Sequence, residues 1–184
     1  MLKIKQNEFP YRNHIPKINY NLKELKIETI KPLKKFDKLH KPKGLWYGIR
    51  HHWADFKSNK TSFVNKFSQK VYKINNLFKL ILKKDAFTDI NNPNKNKILV
   101  LKKISDFDKF TNKYYQNKIG IRWSDVMKDY GGIEIPKLIY NLHNFHLTDV
   151  KKDYSDIWNW YYGWDVPSGV IWNNKVSHKI IKIL

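Results

Sequence analysis

Six of the seven glycines in this chain fall within three short apolar stretches. They are Lys41-Pro42-Lys43-Gly44-Leu45-Trp46-Tyr47-Gly48, Tyr130-Gly131-Gly132-Ile133-Glu134-Ile135-Pro136 and Trp160-Tyr161-Tyr162-Gly163-Trp164-Asp165-Val166-Pro167-Ser168-Gly169. Glycine set among aromatic and β-branched residues marks a place where backbone passes close to a neighbour or a ligand. These three stretches therefore frame the functional question. One of only four glutamates, Glu134, lies inside the second stretch. In an alternating strand Ile133 and Ile135 point one way and Glu134 the other, so the carboxylate faces away from the isoleucines.

A length of 184 residues suits one hydrophobic core, and a content of 41% hydrophobic and 15% aromatic residues supplies it. We expect an extended arm over residues 1–22, where Pro10 and Pro16 interrupt any period, and a single domain over 23–184. The absence of cysteine excludes disulfides, thiolate catalysis and the common zinc-finger patterns. No apolar run approaches the length of a membrane span, and no apolar segment follows the charged N-terminus. These features predict a soluble, cytoplasmic protein with no membrane partner.

The formal net charge of +20 points to a polyanion such as nucleic acid, met through a lysine-rich surface. Of the 36 basic residues only Arg12, Arg50 and Arg122 are arginine. Arginine is the residue that reads base edges, so its scarcity argues for phosphate attraction without base readout. Abundant lysine, asparagine and isoleucine also form the composition that an AT-rich genome imposes.

Along the chain, residues 24–30 alternate polar and apolar side chains and end before Pro32, predicting a first core strand. Gly44–Ile49 predicts a second strand. Spacings of three and four residues over 61–82 predict an amphipathic helix, Asn91–Asn94 a turn, and Lys97–Ile104 a third strand. Ser105 suits the N-cap of a helix that buries Phe107, Phe110 and Tyr114. A short helix over 121–130 leads into the glutamate strand. Leu138, Ile139, Leu142 and Phe145 recur at helical spacing. An aromatic strand spans Trp164–Trp172, with Ser168 and Gly169 marking a tight bend, and Ile180–Leu184 forms a short tail. The irregular alternation of helix and strand predicts an α+β domain rather than a doubly wound parallel sheet.

Glu134 is the leading candidate for chemistry, against the plainer reading of a solvent-facing glutamate on an edge strand. Trp46 and Tyr47 beside glycines suit stacking on a flat ligand, although both are ordinary core residues, and alternation allows only one of them onto the glutamate's face. His143, His146 and Asp149 have the spacing for a metal site but lack the HExxH arrangement, and no metal is expected. Asp129 with Glu134 could form an acid pair. Trp158, Trp160, Tyr161, Tyr162 and Trp164 lie among Asp156 and Asp165 rather than lysines, which predicts core packing rather than a nucleic-acid platform.

The Gly-Leu-Trp-Tyr strand and the later Tyr-x-Gly-Ile-Glu-Ile strand resemble the ADP-ribosyltransferase superfamily, within residues 41–56, 121–136 and, more loosely, 158–173. The resemblance implies two small, mainly antiparallel sheets forming an NAD-binding cleft, with flanking helices. It implies Glu134 as catalytic carboxylate, with Gly44, Leu45, Trp46 and Tyr47 lining the NAD site. Enzymes of that family place an arginine or histidine on the first core strand to hold NAD, and residues 24–30 contain neither. His40 and Arg50 are the nearest substitutes in sequence, with His51 and His52 following and Arg12 and His14 in the arm. The activity implied is NAD-dependent ADP-ribosyl transfer, for which the positive charge suggests nucleic acid as acceptor; a third reading is that an inhibitory partner protein supplies or masks the site in trans, as in toxin–antitoxin pairs. The competing expectation is a non-catalytic basic protein, viral or nucleoid-associated, that holds nucleic acid through its lysines.

Overall fold

The computed structural model describes residues 12–14, 27, 29–37, 41–49, 78–116, 119–139, 160–161 and 164–182. Its described strands are β1 (Arg12–His14), β2 (Leu45–Ile49), β3 (Phe78–Leu82), β4 (Phe87–Thr88), β5 (Asn94–Val100), β6 (Tyr115–Gln116), β7 (Gly120–Ile121), β8 (Tyr130–Ile135), β9 (Ser168–Ile171) and β10 (His178–Lys182). Among the described residues two α-helices accompany them, α1 (Ile104–Tyr114) and α2 (Trp123–Asp129). The result is a small α+β domain, mostly sheet.

Eight strands form one sheet in the order β10-β3-β1-β2-β9-β8-β5-β4, and β6 and β7 form a separate two-stranded ribbon. Five strand pairs in the sheet are antiparallel and two, β4–β5 and β5–β8, are parallel. Parallel neighbours cannot be joined by a hairpin, and β5 reaches β8 through α1, the β6–β7 ribbon and α2.

Two apolar clusters lie on the sheet. One gathers α1, α2 and their aromatic neighbours around Leu99, Leu101, Ile133, Ile135, Val170 and Trp172. The other contains Tyr47, Ile49, Leu80, Ile98, Ile171 and Val176. The division follows alternation: Ile133 and Ile135 join the helix side, and Trp46 packs there while Tyr47 joins the other cluster. Trp160, Tyr161 and Trp164 are buried on the helix side, in ring contact with Phe107, Phe110, Trp123 and Trp46, as core packing. Trp158 and Tyr162 lie outside the described residues.

Several expectations are corrected. Phe78–Leu82 is a strand paired to β1 and β10, where helical spacing over 61–82 had predicted its end to be helical. Its apolar residues serve a sheet as readily as a helix, since a short apolar run has no period of its own; residues 61–77 lie outside the described set. The expected first core strand at 24–30 is irregular at Ile27, Thr29 and Ile30, although Ile30 N–H donates to Trp172 O at 2.8 Å. Within the expected arm, Arg12–His14 pair into the sheet between β2 and β3, and the rest of 1–22 lies outside the described residues. Helix α1 starts one residue before Ser105, because the Asp106 carboxylate reaches back to accept the N–H groups of Lys102 at 2.9 Å and Lys103 at 3.0 Å. The strand expected over Trp164–Trp172 is confined to β9, the expected tail enters the sheet as β10, and the bend lies at Val166 and Pro167 rather than at Ser168 and Gly169. Leu138 and Ile139 pack on the helix-side core without helical structure; Leu142 and Phe145 lie outside the described residues.

The two sheets are also unequal. Strands β2 and β9 are each paired along both edges, so the ladder runs unbroken from β10 to β4, and the described residues form no pair of comparable sheets.

Candidate functional site

The three glycine-bearing stretches come together as the strands β2, β9 and β8. Register partners on adjacent strands share a face. Tyr47 is opposite Gly169, and Gly169 is opposite Glu134. Tyr47, Gly169 and Glu134 therefore form one row across three strands, on the side away from α1 and α2. Strands two apart are separated by about 9–10 Å. Tyr47 bridges that gap over Gly169, and its hydroxyl donates to Glu134 Oε2 at 2.8 Å.

Both residues are buried: Tyr47 is 0% exposed and Glu134 3%. A buried carboxylate is costly unless hydrogen bonds replace its water, and the Tyr47 hydroxyl is one such partner. The solvent-facing edge-strand reading of Glu134 is thus excluded, since β8 lies between β5 and β9 and its side chains are buried throughout.

The other sequence candidates divide between the two faces. Leu45 packs against the cluster that contains Tyr47. Trp46 faces the helices, where its indole N–H donates to Pro42 O at 3.1 Å and its ring lies 5.0 Å from that of Trp164. Gly44 has φ +155°, and a Cβ there would come within 2.5 Å of Ile171 O, so this glycine serves the chain's own packing. His40 and Arg50 lie outside the described residues, as do His51, His52, His143, His146 and Asp149.

A strand bearing both an arginine and a histidine does stand beside β2. In β1, Arg12 is opposite Ile49 and Asn13 is opposite Gly48. On its other edge the same strand pairs with β3, where His14 is opposite Phe78. Sequence reading missed this because three residues between prolines carry no period. Gly169 was read as a tight bend for a different reason, its proximity to Pro167 and Ser168, although a lone glycine within an apolar run is itself a signal of close backbone approach.

Asp129 and Glu134 are not brought together. Asp129 closes α2 and is held by Lys113 Nζ at 2.8 Å and by the Tyr114 hydroxyl, on the helix side. Burial pushes the Asp129 carboxyl up, but the bonds from Lys113 and Tyr114 outweigh it and hold the group below its usual value. A separate pocket of about 700 Å³ lies beside α2, lined by residues including Leu33, Asp37, Arg122 and Lys128. The Asp37 carboxylate there is engaged by Ser124.

No protein-family model, no curated protein and no solved structure matches this chain. Among the described residues no cluster of histidine, aspartate and glutamate could hold a metal ion, and no helix is long and apolar enough to cross a membrane.

Proposed function

We propose that the domain is ADP-ribosyltransferase-like and transfers ADP-ribose from NAD, with Glu134 as the catalytic carboxylate. The single observation that carries this reading is the hydrogen bond that joins Tyr47 to Glu134 across β9. It unites the two stretches on which the family resemblance rests, and it sets a tyrosine and a carboxylate on one face. The presence of His14 in β1 supports the reading further, because β1 lies next to the strand that carries Tyr47.

In the proposed reaction the bond between the nicotinamide nitrogen and ribose C1′ breaks, and its electron pair leaves with nicotinamide. A nucleophile then bonds to C1′ and gives up its proton. A carboxylate at this centre stabilises the oxocarbenium-like ribose and takes that proton. NAD would have to displace whatever atoms bury Glu134 and Tyr47 in the free protein. The net charge of +20 favours nucleic acid as the acceptor.

The test is incubation with labelled NAD and separate pools of DNA, RNA and protein. The reading expects label in one pool and free nicotinamide in solution, both lost in Glu134→Gln with folding retained. Unchanged turnover in that variant would refute it. Salt-sensitive nucleic-acid binding with neither labelling nor nicotinamide release would instead establish the second reading, a non-catalytic basic protein, which the same net charge favours.

A further inference from the structure

The geometry points to Gly169 as the positioning residue of the Tyr47–Glu134 pair, a role that rests on the proposed function only where turnover is concerned. Tyr47 and Glu134 lie on strands that are not neighbours, and β9 runs between them. Any side chain at the shared register position on β9 would stand between the two. A Cβ built at Gly169 meets Tyr47 Oη and Cζ, the latter at 2.5 Å, and Ile133 O at 2.9 Å. Real Cβ atoms do not come so close to a ring carbon, so even alanine must push the tyrosine ring off the strand.

The ring has little room to yield. Tyr47 is fully buried, in an apolar cluster with Ile49, Leu80, Ile98 and Ile171. Displacing it withdraws the phenol from Glu134 Oε2, and the carboxyl loses this buried hydrogen bond. Conformational freedom does not explain the glycine, because Gly169 has no positive φ and sits in the middle of a regular antiparallel ladder. Glycine is a poor strand residue. Its presence here is explained by the ring that crosses it.

In the proposed reaction, Gly169 touches neither NAD nor acceptor and acts through Tyr47 and Glu134. Replacing it should lower kcat more than it raises KM, because a displaced carboxylate weakens stabilisation of the developing ribose charge. Loss of one buried hydrogen bond to a carboxylate corresponds to a loss of about 10- to 100-fold in rate.

The experiment compares Gly169→Ala, Tyr47→Ala and the double variant, with tyrosine labelled at Cζ to follow the Tyr47 phenol by NMR and Tyr47→Phe to assign its resonance. We expect Gly169→Ala to shift the Tyr47 Cζ resonance toward that of a phenol without its acceptor and to lower kcat for nicotinamide release. We also expect its stability cost to shrink when Tyr47 is already alanine. An unmoved resonance, or an equal stability cost in both backgrounds, would overturn the assignment. Should Gly169→Ala fail to fold while the double variant folds, the clash with Tyr47 is established; failure of both would place the constraint at Ile133 O and overturn it. If the native protein cleaves no NAD, the enzymatic reading falls, and the Cζ resonance and stability cycle still decide the role of Gly169.

Discussion

The Tyr47 hydroxyl donates to Glu134 Oε2 at 2.8 Å, joining residues 87 positions apart from strands that share no backbone ladder. Removing the hydroxyl alone tests what that bond contributes. Tyr47→Phe preserves the ring over Gly169 and leaves the carboxyl without one buried donor, so we expect a loss of about 1–3 kcal/mol in unfolding free energy. Denaturant titration with an unchanged m-value is the measurement. A loss well below that range would mean that other contacts of Glu134 satisfy it without the phenol.

Much of this site is legible from alternation. That Ile133 and Ile135 oppose Glu134, and that only one of Trp46 and Tyr47 can share its face, follows from the two-residue period of a strand. Both hold in the structure. The row itself is not legible, because register between distant strands depends on pairings that no local pattern states. Arg12–His14 is too short to show a period, and the apolar residues of Phe78–Leu82 fit a helix until β1 and β10 pair with them. Gly169 suits a bend beside Pro167 until the Tyr47 ring occupies the space over it.

Asp37 holds α2 from outside the helix. Its carboxylate accepts the Ser124 N–H at 2.7 Å and the Ser124 hydroxyl at 3.0 Å, doing for an early helical amide what an N-cap side chain does elsewhere. Asp37→Ala should cost about 1–2 kcal/mol, in the range of a lost cap. Amide exchange should accelerate first at Ser124 and its neighbours in α2. Asp37→Asn, which keeps one acceptor oxygen, should lose less.

Asp129 should give the fold an acid-sensitive component. Burial opposes its ionisation, and the bonds from Lys113 and Tyr114 more than offset that, so its folded value lies below the ordinary 3.8. A group lowered on folding contributes stability that is present above its unfolded value and is lost as pH falls through its folded value. The stability difference between the native protein and Asp129→Asn should therefore be largest near neutrality and shrink as pH drops below about 4. Denaturation midpoints across that range test this, and a constant difference would show that the charge on Asp129 contributes nothing.

Tyr130 should act at the other end of the scale. Burial pushes its phenol up to about 12 from the ordinary 10.0, partly offset by the neighbouring Tyr114 hydroxyl, while its own hydroxyl donates to Ile90 O at 3.1 Å. A group raised on folding contributes stability that is fully present below its unfolded value and is lost as pH rises through its folded value, here from pH 10 to about 12. Tyr130→Phe should be less stable than the native protein at pH 8 by about 1 kcal/mol, the net worth of a neutral hydrogen bond. Between pH 10 and about 12 that gap should narrow, because the variant has no phenol at this position to ionise on unfolding. Tyr114, pushed up further by burial and by its bond to Asp129, strengthens the same alkaline limb, so Tyr114→Phe combined with Tyr130→Phe should flatten it more than either alone. Tyrosinate absorbance followed together with unfolding checks the assignment: buried phenols should ionise only as the fold opens. Their ionisation well below the unfolding transition would show that the helix-side core admits water to Tyr114 and Tyr130.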